Sequence, residues 1–231
     1  NVDHFDPPLD EQEVRMVAAS ATRYPKGSNA RSPVVASEDS LAVDFVRHNP
    51  SLRFVSAWGR WMIWDGMVWK SDDTLAVFDK IRGFLRVSGG QKASLLKATT
   101  VASVERLARA DRRFASTPSC WDDKDSLLNT QGGVVNLHTG ELSPHDPELH
   151  MSKITSSAPG ADAPRWHLFL SEITDGDAEY QAFLQRVIGY SASGLTNEHV
   201  LFFFFGSGSN GKSVFINTIH KVMGDYAAVA S

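Results

Sequence analysis

One stretch restricts the folding options of this chain more than any other: FFFFGSGSNGKSVFINTIHKVMG, residues 202–224. Gly206, Ser207, Gly208, Ser209, Asn210, Gly211, Lys212 and Ser213 satisfy G-x-x-x-x-G-K-[ST], the spacing of a phosphate-binding loop. Each part of that pattern has a physical task. The glycines let the backbone curl so that successive N–H groups, from about Gly208 to Ser213, face a β-phosphate, and the N-terminus of the next helix adds partial positive charge. Lys212 is placed to reach the β- and γ-phosphates as a point charge and to serve as the catalytic cation, and the Ser213 hydroxyl to ligate Mg²⁺, so the ligands expected are ATP and Mg²⁺. HVLFFFF, residues 199–205, reads as a short apolar strand buried on both faces. Val214, Ile219, Val222 and Met223 give the segment after the loop a helical apolar face. The competing reading is a Gly-rich turn between strand and helix that holds no ligand.

Composition narrows the class. With 42% hydrophobic residues, 231 residues can bury a substantial core as one large domain or two modest ones. Cys120 is the single thiol, which excludes an intramolecular disulfide and a Cys-rich zinc site and fits a reducing, intracellular setting. The longest apolar run, Val200 to Phe205, is far shorter than the roughly 20 residues of a membrane span. No membrane partner is expected. Position 1 is Asn rather than Met, which points to a piece of a longer polypeptide or a processed N-terminus.

Net charge is −4, yet Lys80 to Arg113 alone carries +7, leaving −11 on the remainder. Arg106, Arg109, Arg112 and Arg113 lie in this basic segment and are the candidate DNA contacts, set against the plainer reading of a solvated face.

Along the chain, residues 1–37 read as a linker with one short helix. SLRFVSAWGRWMIWDGMVWKSDD then alternates apolar and polar positions around Trp58-Gly59 and Asp65-Gly66, a small antiparallel sheet whose tryptophans fill a core or form a base-stacking platform. Leu75, Phe78, Ile81 and Leu85 predict one buried helical face, a Ser-Gly-Gly break follows, and Val101, Val104 and Leu107 predict a second. GGVVNLHTGELSPHDP predicts another hairpin around His138-Thr139-Gly140. Pro164 opens a helix carrying Trp166, Phe169, Leu170 and Ile173, and Asp177 caps one carrying Tyr180, Phe183, Leu184, Val187 and Ile188. His138, His145 and His150 with Asp146 have spacings that do not enforce a metal site. Asp72-Asp73 and Asp122-Asp123 sit in turn-like contexts suited to capping and solvation. Cys120 reads as a buried or half-buried spectator.

The loop and its tail, FLQRVIGYSASGLTNEHV before them, and GGVVNLHTGELSPHDPELHMSKIT further upstream resemble the phage and plasmid primase-helicase family, over roughly residues 40 to 231. Its motor is a superfamily 3 helicase, and the region before the motor is like the N-terminal part of the poxvirus primase-helicase ATPase region. The resemblance implies an α+β chain. On this resemblance residues 38–160 are expected to form the poxvirus-like N-terminal domain, built of antiparallel hairpins with helices, and residues 161–231 to start an AAA+-like α/β P-loop ATPase domain with its first strand, loop and helix. It further implies an ATP-dependent DNA helicase acting in replication in the cytoplasm of a bacterial host, assembled as a homo-oligomeric ring on single-stranded or forked DNA, with replication proteins as further partners. The motor's second strand with its acidic pair, its sensor and its inter-subunit Arg have no counterpart in DYAAVAS, so this stretch alone is expected to bind nucleotide without hydrolysing it. Two other functions compete: a non-enzymatic DNA- or partner-binding module with an incidental loop, and another P-loop enzyme such as a nucleotide kinase. An unpaired apolar 200–205 strand is also an association hazard.

Overall fold

The computed structural model describes residues 10–12, 15, 37–88, 93–160 and 162–229, and the fold set out below belongs to the unit Glu38–Ser231. The expected linker over 1–37 and the glycines of the Ser-Gly-Gly break lie almost wholly outside the described residues.

A period of two along three short strands decides how this unit is built. Strand β1 (Leu52–Val55) pairs antiparallel with β2 (Arg60–Trp64), Phe54 opposite Trp61, and β2 pairs antiparallel with β3 (Trp69–Ser71), Trp64 opposite Trp69. Strand β4 (Ala115–Ser116) joins β1 in parallel, giving the order β3-β2-β1-β4. Asp65 fixes the turn before β3 by accepting the N–H groups of Met67 and Val68 at 2.9 and 3.0 Å. Leu52, Phe54, Trp61 and Ile63 then face one way, and Val55, Met62 and Trp64 the other.

Helices α1 (Glu38–His48), α2 (Ala76–Ser88) and α3 (Ala98–Ala110) cover the first face. Phe45 of α1 meets Phe84 and Phe114 edge-on at 5.6 and 6.2 Å, and Trp61 meets Phe114 in the same way at 5.5 Å. On the second face Trp69 and Trp121 meet edge-on at 5.6 Å, and Arg53 lies over the Trp69 ring at 5.2 Å. Core filling is thus the role of Trp61 and Trp69, whereas Trp64 is half-buried and Trp58 is exposed.

Two helical faces differ from the periodicity read from the sequence. The Asp72 carboxylate accepts the N–H groups of Ala76 and Val77, both at 2.9 Å, and so caps the first turn of α2. The chain reaches that cap through Leu75 at φ 60°, and the buried stripe is Val77, Ile81 and Leu85, with Leu75 outside it and exposed. In α3 the buried residues are Thr100, Val101, Val104, Glu105 and Ala108. Leu107 stands roughly 120° round the helix from Val101 and is exposed.

A second sheet, β5 (Leu127–Thr130), β6 (Gly133–Asn136) and β7 (Leu142–Ser143), is antiparallel throughout, with the expected hairpin around His138-Thr139-Gly140. Asn129 joins it to its surroundings. Its amide nitrogen donates to the carbonyls of Met67 at 2.9 Å and Lys153 at 3.1 Å, its backbone N–H donates to the Tyr226 hydroxyl at 3.1 Å, and its C=O accepts from Thr155 at 3.0 Å. Helices α4 (Pro164–Ile173), α5 (Ala178–Ala192) and α6 (Lys212–Met223) build a separate small core of Leu170, Leu184 and Phe215. The far end of α6 returns to the second sheet's surroundings: Ser156 N–H donates to Val222 O at 3.0 Å, Asp225 N–H to Ile154 O at 3.1 Å, and Ile154 N–H to the Asp225 carboxylate at 3.2 Å.

The cap on α2 sets a pH dependence. Burial alone would raise the Asp72 pKa, but the N–H groups of Val77, Ala76 and Thr74 outweigh it and hold the carboxyl below its ordinary 3.8. A depressed folded-state pKa contributes stability that is fully present above the unfolded value and is lost as pH falls through the folded one. Asp72→Ala is therefore expected to cost about 1 kcal/mol in urea denaturation at pH 7. The gap between the two proteins should shrink as pH is lowered below 3.8; a gap that stays constant into that range would show that the carboxylate charge is not what caps the helix.

Candidate phosphate-binding loop

The platform under the loop follows from ordinary helix chemistry. Pro164, whose fixed φ suits the first turn, starts α4, and the Asp177 side chain accepts the Tyr180 N–H at 3.0 Å to start α5. Both starts match the sequence reading. Trp166 of α4 stacks on Phe215 of α6 at 5.6 Å, and Phe204 packs against the same ring at 5.6 Å. This seats the first turn of α6 on α4.

Gly211 is the residue before α6 and adopts φ 81°. A β-carbon there would come within 2.5 Å of Ile173 Cγ2 and 3.1 Å of Phe169 Cε2, so the loop sits too close to α4 for any side chain. Gly206, at φ 155°, is crowded from the other side, where a β-carbon would run into the Asn210 amide nitrogen and meet Lys212 Nζ at 3.2 Å. Between them the chain passes through positive φ at Gly208 and Ser209. The Lys212 ammonium turns back over this curl, donating to Asn210 Oδ1 at 2.5 Å and to Gly206 O at 3.3 Å. Both acceptors are neutral, and among the described residues no carboxylate pairs with Lys212. Gly206 to Asn210 and Ser213 are exposed, and Gly211 and Lys212 are half-buried. The loop thus brings together a cation without a carboxylate partner, the first residue of a helix, and a backbone at positive φ at Gly206, Gly208, Ser209 and Gly211, a combination whose charge suits an anion.

The segment leading into the loop differs from the expected buried strand. Residues 199–205 belong to neither sheet, because no described strand runs beside them to supply ladder bonds. Phe204 packs inward, while Leu201, Phe203 and Phe205 are 90%, 80% and 82% exposed. Tyr180 and Phe183, placed by sequence periodicity on a packed face of α5, are about half exposed and line a cleft of 380 Å³ that reaches Asn210 and Lys212. Periodicity marks an apolar face; it carries no signal for what that face meets.

The four candidate arginines divide into two pairs. Arg109 donates to Glu105 at 2.6 Å and lies over the Phe54 ring at 4.9 Å, and the same buried Glu105 accepts the Trp61 indole N–H at 2.7 Å. Arg113 holds Asp111 through two hydrogen bonds, 2.9 and 2.6 Å, and draws that carboxyl down to about 2 against the opposing effect of burial. Arg106 and Arg112 are exposed and carry no ion pair among the described residues.

The histidines stand apart. His145 bonds to Thr130 O at 2.8 Å, His150 stacks on Trp69 at 6.2 Å, and His138 is exposed in its turn; among the described residues no group of three or more potential ligands is placed to hold a metal. Cys120 is half-buried, its thiol donating to Thr117 O at 3.0 Å. The Asp122 carboxylate accepts from Ser152 N–H at 2.7 Å, a structural tie.

A mixed α+β architecture of small antiparallel sheets and covering helices is therefore in place upstream of the loop. The chain belongs to the D5 N terminal like family, whose model matches residues 40–175. Domains of this family are found in primase-helicase proteins, consistent with a replication role, and the match stops short of the loop. No curated protein matches the sequence. No helix among the described residues is long and apolar enough to cross a membrane.

The crowding at Gly211 yields a direct check. Gly211→Ala should destabilise the protein by about 1–3 kcal/mol, because it places a side chain at positive φ and against Ile173. Ser207→Ala, in an exposed position of the same loop, should stay within about 0.5 kcal/mol of the parent in the same thermal melt.

Proposed function

We propose that this chain is the nucleotide-binding portion of a phage- or plasmid-type DNA-replication primase-helicase, with ATP held on the loop from Gly206 to Ser213. The observation that carries this reading is the Lys212 ammonium, at the first residue of α6, curled over the loop with only the neutral oxygens of Gly206 and Asn210 as partners. Membership of a family found in primase-helicase proteins supports the replication setting. In this reading Lys212 and the helix N-terminus hold the β- and γ-phosphates, and the Ser213 hydroxyl contributes to Mg²⁺. ATP use would drive DNA unwinding in a ring of copies.

Two measurements test it. Mg-ATP at a hundredfold excess over its dissociation constant should stabilise the fold by about 2.7 kcal/mol, seen as a rise in melting temperature. Lys212→Ala should remove most of that rise while leaving the melt without nucleotide nearly unchanged, since both Lys212 bonds are local to the loop. A rise that survives the substitution would place the nucleotide elsewhere.

For DNA, the structure separates the arginines that are free to act from those already engaged. Reversing Arg106 and Arg112 to Glu should weaken single-stranded DNA binding and lower the salt slope by about 1.4, the release expected from two lost phosphate contacts. Reversing Arg109 instead should mainly lower the melting temperature, because it leaves the buried Glu105 with the Trp61 N–H but without its cationic partner. Unchanged DNA affinity at low salt in the Arg106 and Arg112 variant would remove these two arginines from the DNA contact.

A further inference from the structure

We infer that the aromatic cleft beside the loop is the seat of the nucleotide's base, an inference that rests on the nucleotide reading of the loop and goes beyond it. The cleft encloses 380 Å³, within the range of small-ligand sites. Its side chains, as distinct from the backbone polar atoms exposed between them, are chemically lopsided. Lys212 is the one charged group in it, standing with Asn210 at one edge, and the rest is aromatic or aliphatic, with Tyr180, Phe183 and Phe202 among its walls. The Tyr180 and Phe183 rings lie nearly parallel, 21° apart in plane with centroids at 6.4 Å, and they remain 46% and 45% exposed.

A nucleotide is the ligand whose own polarity matches that division: a multiply charged anion joined through a sugar to a flat, weakly hydrated heterocycle. An inorganic polyphosphate would use the Lys212 edge and leave the ring faces in water. A purely apolar ligand would leave the lysine unused. Stacking on Tyr180 or Phe183 would cover the ring surface that the fold leaves bare, and base–aromatic contacts are tolerant of base identity because every base presents a π-face. The start of the helix that carries these rings is fixed by the Asp177 cap, whose carboxylate accepts the Tyr180 N–H at 3.0 Å, so their Cα positions do not depend on a ligand.

The test compares Mg-ATP with Mg-tripolyphosphate by calorimetry on the whole chain. The parent should bind ATP at least about tenfold more tightly than tripolyphosphate, in line with the contribution of base stacking. Replacing Tyr180 and Phe183 together by Ser should bring ATP affinity down to that of tripolyphosphate while tripolyphosphate affinity holds; Lys212→Ala should weaken both ligands. Phe183→Leu keeps apolar bulk and removes the flat face, and should narrow the ATP advantage at an unchanged melting temperature, which separates stacking from folding. Tripolyphosphate binding as tight as ATP in the parent, or an ATP advantage that survives the Tyr180 and Phe183 double substitution, would overturn the base site and leave the loop reading intact. Failure of the parent to bind either ligand would overturn both.

Discussion

Asn129 is the residue through which the described unit holds together. It is 1% exposed, and four of its hydrogen bonds run in different directions: to the turn before β3 through Met67, to the following segment through Lys153 and Thr155, and to the C-terminal turn through Tyr226. The energetic force of this arrangement lies in what its absence would cost. A single net hydrogen bond is worth about 1 kcal/mol, but a buried carbonyl or N–H left without a partner costs about 1–3 kcal/mol, and Asn129 serves several at once. Its own side-chain oxygen is buried without a protein partner, so the amide is retained for its donors. Tyr226 is bound into the same joint. Its hydroxyl accepts from Asn129 N–H and donates to Lys153 O, and burial first of all pushes its pKa up to about 12.

Local rules were enough for much of the fold. The period of two around Asp65-Gly66 and His138-Thr139-Gly140, Pro164 at a helix start and Asp177 as a cap are each decided within a few residues, and each is present. The misreadings arise where a neighbour distant in sequence, or a competing local bond, decides. Asp72 reaches forward to α2 and turns Leu75 outward, a cap that outranks an i, i+3 pattern. Glu105 is buried in α3 because Trp61, 44 residues away, and Arg109 satisfy it. No periodicity rule places a carboxylate on the packed side of a helix. Residues 199–205 have strand composition, yet a strand is a relation between two segments, and composition describes only one.

The candidate site divides along the same line. The loop is contiguous, so its glycines and Lys212 can be recognised at fixed offsets, and the structure gives two of those glycines a reason of their own: positive φ at Gly206, and positive φ with close packing on α4 at Gly211. The cleft beside it is assembled from α5, the 201–205 segment and α6, and Tyr180 and Phe183 enter it by tertiary placement. The basic segment from Lys80 to Arg113 is a further case: counting charges gives its sum, but only the folded structure shows that Arg109 and Arg113 are committed to Glu105 and Asp111.

The return of α6 to the second sheet's surroundings has a bearing on how such chains can be recombined. The family match ends at residue 175, yet Asn129 N–H, Ser156 N–H and both backbone groups of Ile154 find their partners in Val222, Asp225 and Tyr226. The stretch that the family match covers is therefore not the stretch that satisfies its own backbone. A shuffling event that joined this domain to a different downstream neighbour would preserve it only if the newcomer offered three acceptors and one donor at the same places. Family likeness stops at residue 175, whereas hydrogen-bond accounting closes about fifty residues later.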